Sequence, residues 1–221
     1  MSVALGESCH DGFVSEQESG RRVAPISSRP TRAELATFNG ATVDDLLPEH
    51  LKLLVVGINP GLWTAAVNAH FARPGNRFWP ALYRAGITSR PVDASEGLPD
   101  TDRKELLAAG VGITNLVPVA TARADELSAE QLSAGGERLR VLVHERRPTV
   151  VAMLGVTAFR QAFGQRGAAI GPQDHDLEGA ELWVLGNPSG LNAHETVESL
   201  ARWYRRAAEA AGVSLRRPPG E

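Results

Sequence analysis

The sequence predicts an α/β protein with a mostly parallel sheet and helices on both faces. Two observations carry this. Short, nearly continuous apolar runs recur along the chain, as strands buried on both faces require. Stretches of helical period separate them, and such alternation is the pattern of parallel sheets with crossover helices. The length, 221 residues, suits one core, which can grow to about 250 residues before chains divide.

The elements follow in order. Residues 1–30 are rich in Gly, Ser, Glu and Arg without a period and read as a flexible N-terminal tail. Residues 31–212 read as the single domain, and 213–221 as a C-terminal tail. Thr31 and Glu34 form a capping-box pair opening a helix over 32–38. Residues 51–58 (LKLLVVGI) are the first strand, ending in the turn Asn59-Pro60-Gly61. Asn76 caps a helix that runs to Ala85, with Pro80 tolerated in its first turn. A helix from Asp100 or Thr101 stops at Gly110. Residues 111–117 are the second strand. Ser128 and Gln131 cap a long helix reaching about Arg146, with Leu132, Leu139, Leu142 and Val143 on one face. The third strand is 150–154, followed by a short helix over 158–163. The fourth strand, 181–185, runs into Gly186-Asn187-Pro188-Ser189-Gly190-Leu191. The last helix carries the stripe Val197, Leu200, Ala201, Tyr204, Ala208 and Ala211 and stops at Gly212.

Composition excludes several chemistries. One cysteine, Cys9, forms no internal disulfide and no four-thiolate metal or iron–sulfur site. It points to a reducing, cytoplasmic setting, near the nucleoid if the cell is bacterial. No run reaches the roughly 18 apolar residues of a membrane helix, so no membrane partner is expected. The six histidines show no metal-ligand pair, so no metal or other cofactor is expected. Gly110-x-Gly112 precedes a strand, against a dinucleotide site. Ser189 misses the nucleophile-elbow spacing by one residue.

The formal net charge is −3, yet residues 51–90 hold five basic side chains and no acid. That segment is either an anion-binding surface or a solvated face. The acidic stretch from Asp93 to Asp102 either assists catalysis or is solvated.

Ligands of open α/β sheets sit beyond the carboxyl ends of the strands. There the chain places Asn59, Asn115 and Asn187. Asn donates and accepts hydrogen bonds but takes no proton near neutral pH. It suits holding water for a bond whose transition state is already dissociative, such as the N-glycosidic bond to uracil. Phe71 suits stacking on a base. Gly190-Leu191 suits entry into a duplex, where an apolar wedge fills the space of an extruded base. His70 reads as a neighbour of this pocket, and a turn role is the plain alternative for Asn59.

Four motifs stand in order between about Arg29 and Arg206: Val56–Leu62 (VGINPGL), Phe71–Trp79 (FARPGNRFW), Gly112–Val117 (GITNLV) and Asn187–Leu191 (NPSGL). Together they resemble the mismatch-specific uracil/thymine-DNA glycosylases, a branch of the uracil-DNA glycosylase superfamily. The resemblance implies a three-layer α/β/α sandwich around a four-stranded parallel sheet. It implies removal of uracil, and in some measure thymine and related lesions, from G·U and G·T mismatches in double-stranded DNA by a monomer. Asn59 matches the residue that positions water. Ile58, Thr64, Phe71, Asn115 and Asn187 match the base pocket, Asn115 at a position on its base or phosphate edge and Asn187 where other branches carry a catalytic His. Ser189, Gly190, Leu191 and Asn192 form the expected wedge and strand contact, and Arg73 and Arg77 are expected on phosphate. No lysine accompanies the motifs, which implies hydrolysis without lyase activity. Trp63 is bulkier than the family's usual residue, and Asn192-Ala193-His194 stands where relatives carry an Arg. A non-catalytic nucleic-acid-binding module and a small-molecule nucleoside hydrolase are the competing readings.

Overall fold

The computed structural model describes residues 21–25 and 30–217. The elements are α1 (Arg32–Ala36), β1 (Leu53–Gly57), α2 (Leu62–Val67), α3 (Phe78–Arg84), α4 (Asp100–Ala109), β2 (Val111–Asn115), α5 (Ala129–Arg146), β3 (Val150–Leu154), α6 (Val156–Phe163), β4 (Gly171–Leu177), β5 (Ala180–Leu185) and α7 (Val197–Ala210). The sheet order is β2-β1-β3-β5-β4. The four expected strands are β1, β2, β3 and β5, and their pairings are all parallel.

The fifth strand, β4, corrects the expected count. It lies antiparallel to β5 at the sheet edge. Its sequence, GPQDHDL, has no apolar run, because an edge strand with exposed positions needs none. Pro172 is tolerated there for the same reason: an edge leaves ladder donors unused. α2 was also unforeseen, since six residues are too few to show a helical period.

Successive strand residues divide between two cores. Leu53, Val55, Ile113, Val150 and Ala152 pack with Phe78 and Leu82 of α3, Leu106 of α4 and Tyr204 of α7. Leu54, Val56, Val151, Met153 and Val184 pack with Leu132, Leu139 and Val143 of α5 and Phe159 of α6. This is the period of two read on both faces, and it makes the sandwich three-layered. Each such fully buried side chain contributes roughly 1.5–3 kcal/mol.

The helix starts follow the capping logic. Thr31/Glu34 and Ser128/Gln131 form both bonds of their capping boxes. α3 begins after Arg77, but the Asn76 Oδ1 still accepts the Phe78 N–H at 2.9 Å. α4 ends on Gly110 in the left-handed region.

Both expected tails are partly docked. Val213 is buried, and the Arg216 N–H donates to the Gly86 carbonyl at 2.9 Å. Arg21 bridges to Ala41, and Val23 packs on the small cluster around Phe38 and Ala66. Residues 1–20, 26–29 and 218–221 of those tails lie outside the described residues. Among the described residues no helix is long and apolar enough to cross a membrane.

The topology locates the site. From β1 the chain crosses to β2 on one side, then returns to β3 on the other. The strand order reverses between β1 and β3, and open α/β sheets bind ligands beyond the carboxyl ends at such a point. There β3 turns through a single residue, Gly155, into α6.

Candidate active site

A cleft of about 490 Å³ opens at that reversal point. Its lining includes Ile58 and Asn59 after β1, Thr64 of α2, and Phe71 and Arg73 before α3. Asn115 enters from β2, and Asn187, Ser189 and Leu191 from the loop after β5. Of the residues singled out in the sequence, Arg77, Gly190 and Asn192 are not in this lining.

Asn59 is held by its nitrogen. Nδ2 lies 3.1 Å from the Pro60 carbonyl, 3.2 Å from the Val119 carbonyl and 2.8 Å from the Thr121 Oγ1. Carbonyls only accept, so the amide nitrogen must face them. The Thr121 hydroxyl donates onward to the Arg123 carbonyl at 2.7 Å. The Asn59 Oδ1, on the other side of the planar amide, receives no donor among the described residues.

The wall Thr121–Asp125 was missed in the sequence. The signal was topological: a segment leaving the carboxyl end of a parallel strand at this edge must border the cleft.

Asn115 and Phe71 form the far side. Asn115 is buried, and its Nδ2 lies 3.2 Å from the His70 Nδ1. His70 is itself buried, with Nε2 3.0 Å from the Asp44 carbonyl. Removal from water, outweighing the nearby Asp45 carboxylate, holds the imidazole below its ordinary range. The Phe71 ring stacks on Phe78 with centroids 3.9 Å apart. Its backbone has φ 55°, a conformation few non-glycine residues adopt, so the packing fixes this side chain against local strain. Both groups approach the end of β1 closely. A Cβ at Gly57 would lie 2.5 Å from the Asn115 Oδ1 and 3.1 Å from the Phe71 ring, so only glycine fits.

The loop after β5 is bound to itself. The Asn187 Oδ1 accepts the Ser189 N–H at 3.0 Å, and the Asn192 Nδ2 donates to the Asn187 carbonyl at 2.9 Å. The Asn192 Oδ1 accepts the His194 N–H at 3.1 Å. Asn192, expected to contact a DNA strand, thus spends both ends of its amide inside the loop. Arg77, expected on phosphate, donates from Nη1 to the Ser189 and Asn192 carbonyls, each at 2.9 Å. It braces the loop from below. Leu191, at the tip, is 77% exposed.

The basic segment does not form one surface. The Lys52 Nζ donates to the Gly212 carbonyl, beside the start of β1 and at the opposite end of that strand from the cleft. Arg90 pairs with the buried Asp102 at 2.9 Å. Of the five, Arg73 alone lines the cleft, joined there by Arg123, which is paired with Asp125. The acidic stretch packs against α2 and also stays out of the lining. Asp93 accepts the Ser95 N–H at 2.9 Å, and no residue from 93 to 102 lines the cleft. The bulky Trp63 has a structural account: its Nε1 donates to the Ser95 carbonyl at 2.9 Å and ties down that stretch. The two lysines, Lys52 and Lys104, are both absent from the cleft.

The fold agrees with what sequence comparison finds. The chain belongs to the uracil DNA glycosylase superfamily, whose model matches residues 45–210, from the segment before β1 to the end of α7. That places it among DNA glycosylases, hydrolases that act on bases in DNA. The fold is similar to the solution NMR structure of a "putative Uracil DNA glycosylase" from Methanosarcina acetivorans. The TM-score is 0.54 at 16% identity, covering 76% of this chain and 96% of that one.

Proposed function

We propose that the protein is a monofunctional glycosylase of the mismatch-specific uracil/thymine branch. It hydrolyses the N-glycosidic bond of uracil opposite guanine in double-stranded DNA, for base excision repair, and acts as a monomer. The lone Cys9 suits the reducing cytoplasm.

The observation that carries the reading is the Asn59 amide, held by three acceptors at Nδ2 and, among the described residues, unmet at Oδ1. Oδ1 accepts a hydrogen from water and turns the water's lone pair toward the sugar's anomeric carbon. Asn59 takes no proton. The glycosidic bond breaks largely before water attacks, so orientation matters more than base strength. The Ile58 backbone, Thr64 and the Phe71 ring hold the base, and Asn115 reads its edge. Asn187 shapes the pocket mouth through its turn. Leu191 fills the space of the extruded nucleotide, and Arg73 meets phosphate. With neither lysine at the cleft, no side-chain amine attacks the sugar, which supports hydrolysis without strand cleavage.

The test is release of free uracil from a duplex containing G·U. Asn59→Ala should slow it roughly 10²-fold, the scale of losing one transition-state contact. Near-normal turnover in that variant overturns the role. A duplex panel with uracil, thymine and hypoxanthine opposite G and A decides the branch. Equal release opposite both partners removes mismatch specificity. Cleavage of free deoxyuridine at a comparable rate makes the protein a nucleoside hydrolase instead.

A further inference from the structure

We infer that His70 is a positioning residue: it fixes which way the Asn115 amide faces and so selects the pyrimidine edge that the cleft accepts. The inference rests on Asn115 as the reader of the base edge.

The argument is one of hydrogen-bond direction. The His70 Nε2 lies 3.0 Å from the Asp44 carbonyl, which can only accept. Nε2 therefore carries the hydrogen. Burial keeps the ring neutral, so Nδ1 holds a lone pair. Nδ1 then accepts from the Asn115 Nδ2 at 3.2 Å. The reversed amide would set Oδ1 against that lone pair, two acceptors facing each other.

The start of the chain is itself anchored. Asp44 and Asn68 exchange two hydrogen bonds, each 3.1 Å, between the Asp44 backbone N–H and carboxylate and the Asn68 amide. The Trp79 Nε1 donates to the His70 carbonyl at 3.0 Å. The His70 backbone and the Asp44 carbonyl that its ring meets are therefore both held before any base arrives.

What remains on Asn115 is one N–H and Oδ1, the latter over Gly57 and beside the Phe71 ring. Uracil presents a carbonyl acceptor next to the N3–H donor, the complement of that pair. Cytosine presents an amino donor next to an N3 acceptor, and meets the same pair reversed. Thymine shares uracil's edge. The device therefore separates uracil from cytosine and leaves uracil against thymine to other contacts.

The experiment uses His70→Leu, which removes both ring nitrogens, and His70→Gln, which keeps a planar donor and acceptor. Uracil release is followed in single turnover. Affinities are read in the Asn59→Ala background, using duplexes with uracil, thymine or cytosine opposite an abasic site, so that pairing strength cancels.

His70→Leu should slow uracil release about tenfold, the scale of one oriented hydrogen bond. It should narrow the uracil-over-cytosine affinity ratio by a similar factor and leave the uracil-to-thymine ratio unchanged. His70→Gln should restore most of both, and His70→Leu should add nothing once Asn115→Ala is present. Equal losses on uracil and cytosine, or a further loss on top of Asn115→Ala, overturn the inference in favour of a structural role. If Asn115→Ala leaves uracil release intact, the reading of Asn115 fails first. If the unaltered protein releases no uracil, the glycosylase reading fails. Should the variants not fold, the imidazole ¹⁵N resonances of the unaltered protein decide: a hydrogen on Nδ1 in place of Nε2 overturns the inference.

Discussion

The side-chain amides of Asn59 and Asn115 are each turned by hydrogen bonds that end on backbone carbonyls. For Asn59 these are Pro60 and Val119 directly, and Arg123 through Thr121. For Asn115 the carbonyl is that of Asp44, reached through His70. Asn59 and Asn115 were legible as residues at strand ends, and Phe71 as an aromatic residue suited to stacking. Their orientation was not, because the orienting groups come from distant stretches that no local pattern joins. His70 was read only as a neighbour for that reason. Its burial has a measurable cost. In the unfolded chain a histidine takes its proton near pH 6.5, whereas the folded site resists it, chiefly through desolvation. The stability tied to neutral His70 is complete above about pH 6.5 and is lost as the pH falls below it. Melting temperatures measured from pH 7.5 down to 5 should therefore fall more steeply for the unaltered protein than for His70→Gln. Parallel curves would mean that His70 titrates alike in both states.

At the scale of elements, the loop from Asn187 to Asn192 is tied together by hydrogen bonds among its own residues and to Arg77. Arg77 holds two of its carbonyls, and charge-assisted bonds of this kind are among the stronger ones. Leu191→Ala should slow release from duplexes about tenfold more than from single strands, because only a duplex leaves a space to fill. Arg77→Met, which keeps the stem but loses the donors, should reproduce that selective loss in single-turnover assays on the two substrates. A loss shared equally by both would mean that Arg77 supports the cleft instead of the tip. The starts of α1 and α5 were readable because a capping pair three residues apart identifies each, whereas α7, whose box is Thr196 with Ser199, was readable from its apolar stripe. β4 was not readable, since an edge strand of alternating polar residues resembles a loop. α2 was not readable because its six residues complete fewer than two turns.

For the whole molecule, the charge distribution sets how DNA is held. The basic stretch, which the sequence left open between an anion-binding surface and a solvated face, is divided by the fold, because β1 carries the chain from one end of the sheet's strands to the other. Lys52 and Arg73 are separated in this way, and of the segment's basic residues the cleft keeps only Arg73. Binding should therefore weaken with salt along a log–log slope of about −1 to −2, and Arg73→Ala should lower its magnitude by about one. A titration showing a steep slope would require a phosphate-binding face elsewhere. The short turn after β3 has a consequence of a different kind. Gly155 adopts φ 121° and passes so close to Ile58 that a Cβ there would lie 2.9 Å from its side chain. Leu154, just before that turn, lines the cleft although it is almost wholly buried. The connection after β3 is a single residue, whereas the hydrogen-bonding groups assigned to recognition sit on other connections. The bulk of lesion admitted and the identity of the lesion read are then inherited separately. Lengthening that one turn would move Ile58 first, and so change the room for a base before it reached the amides that read one.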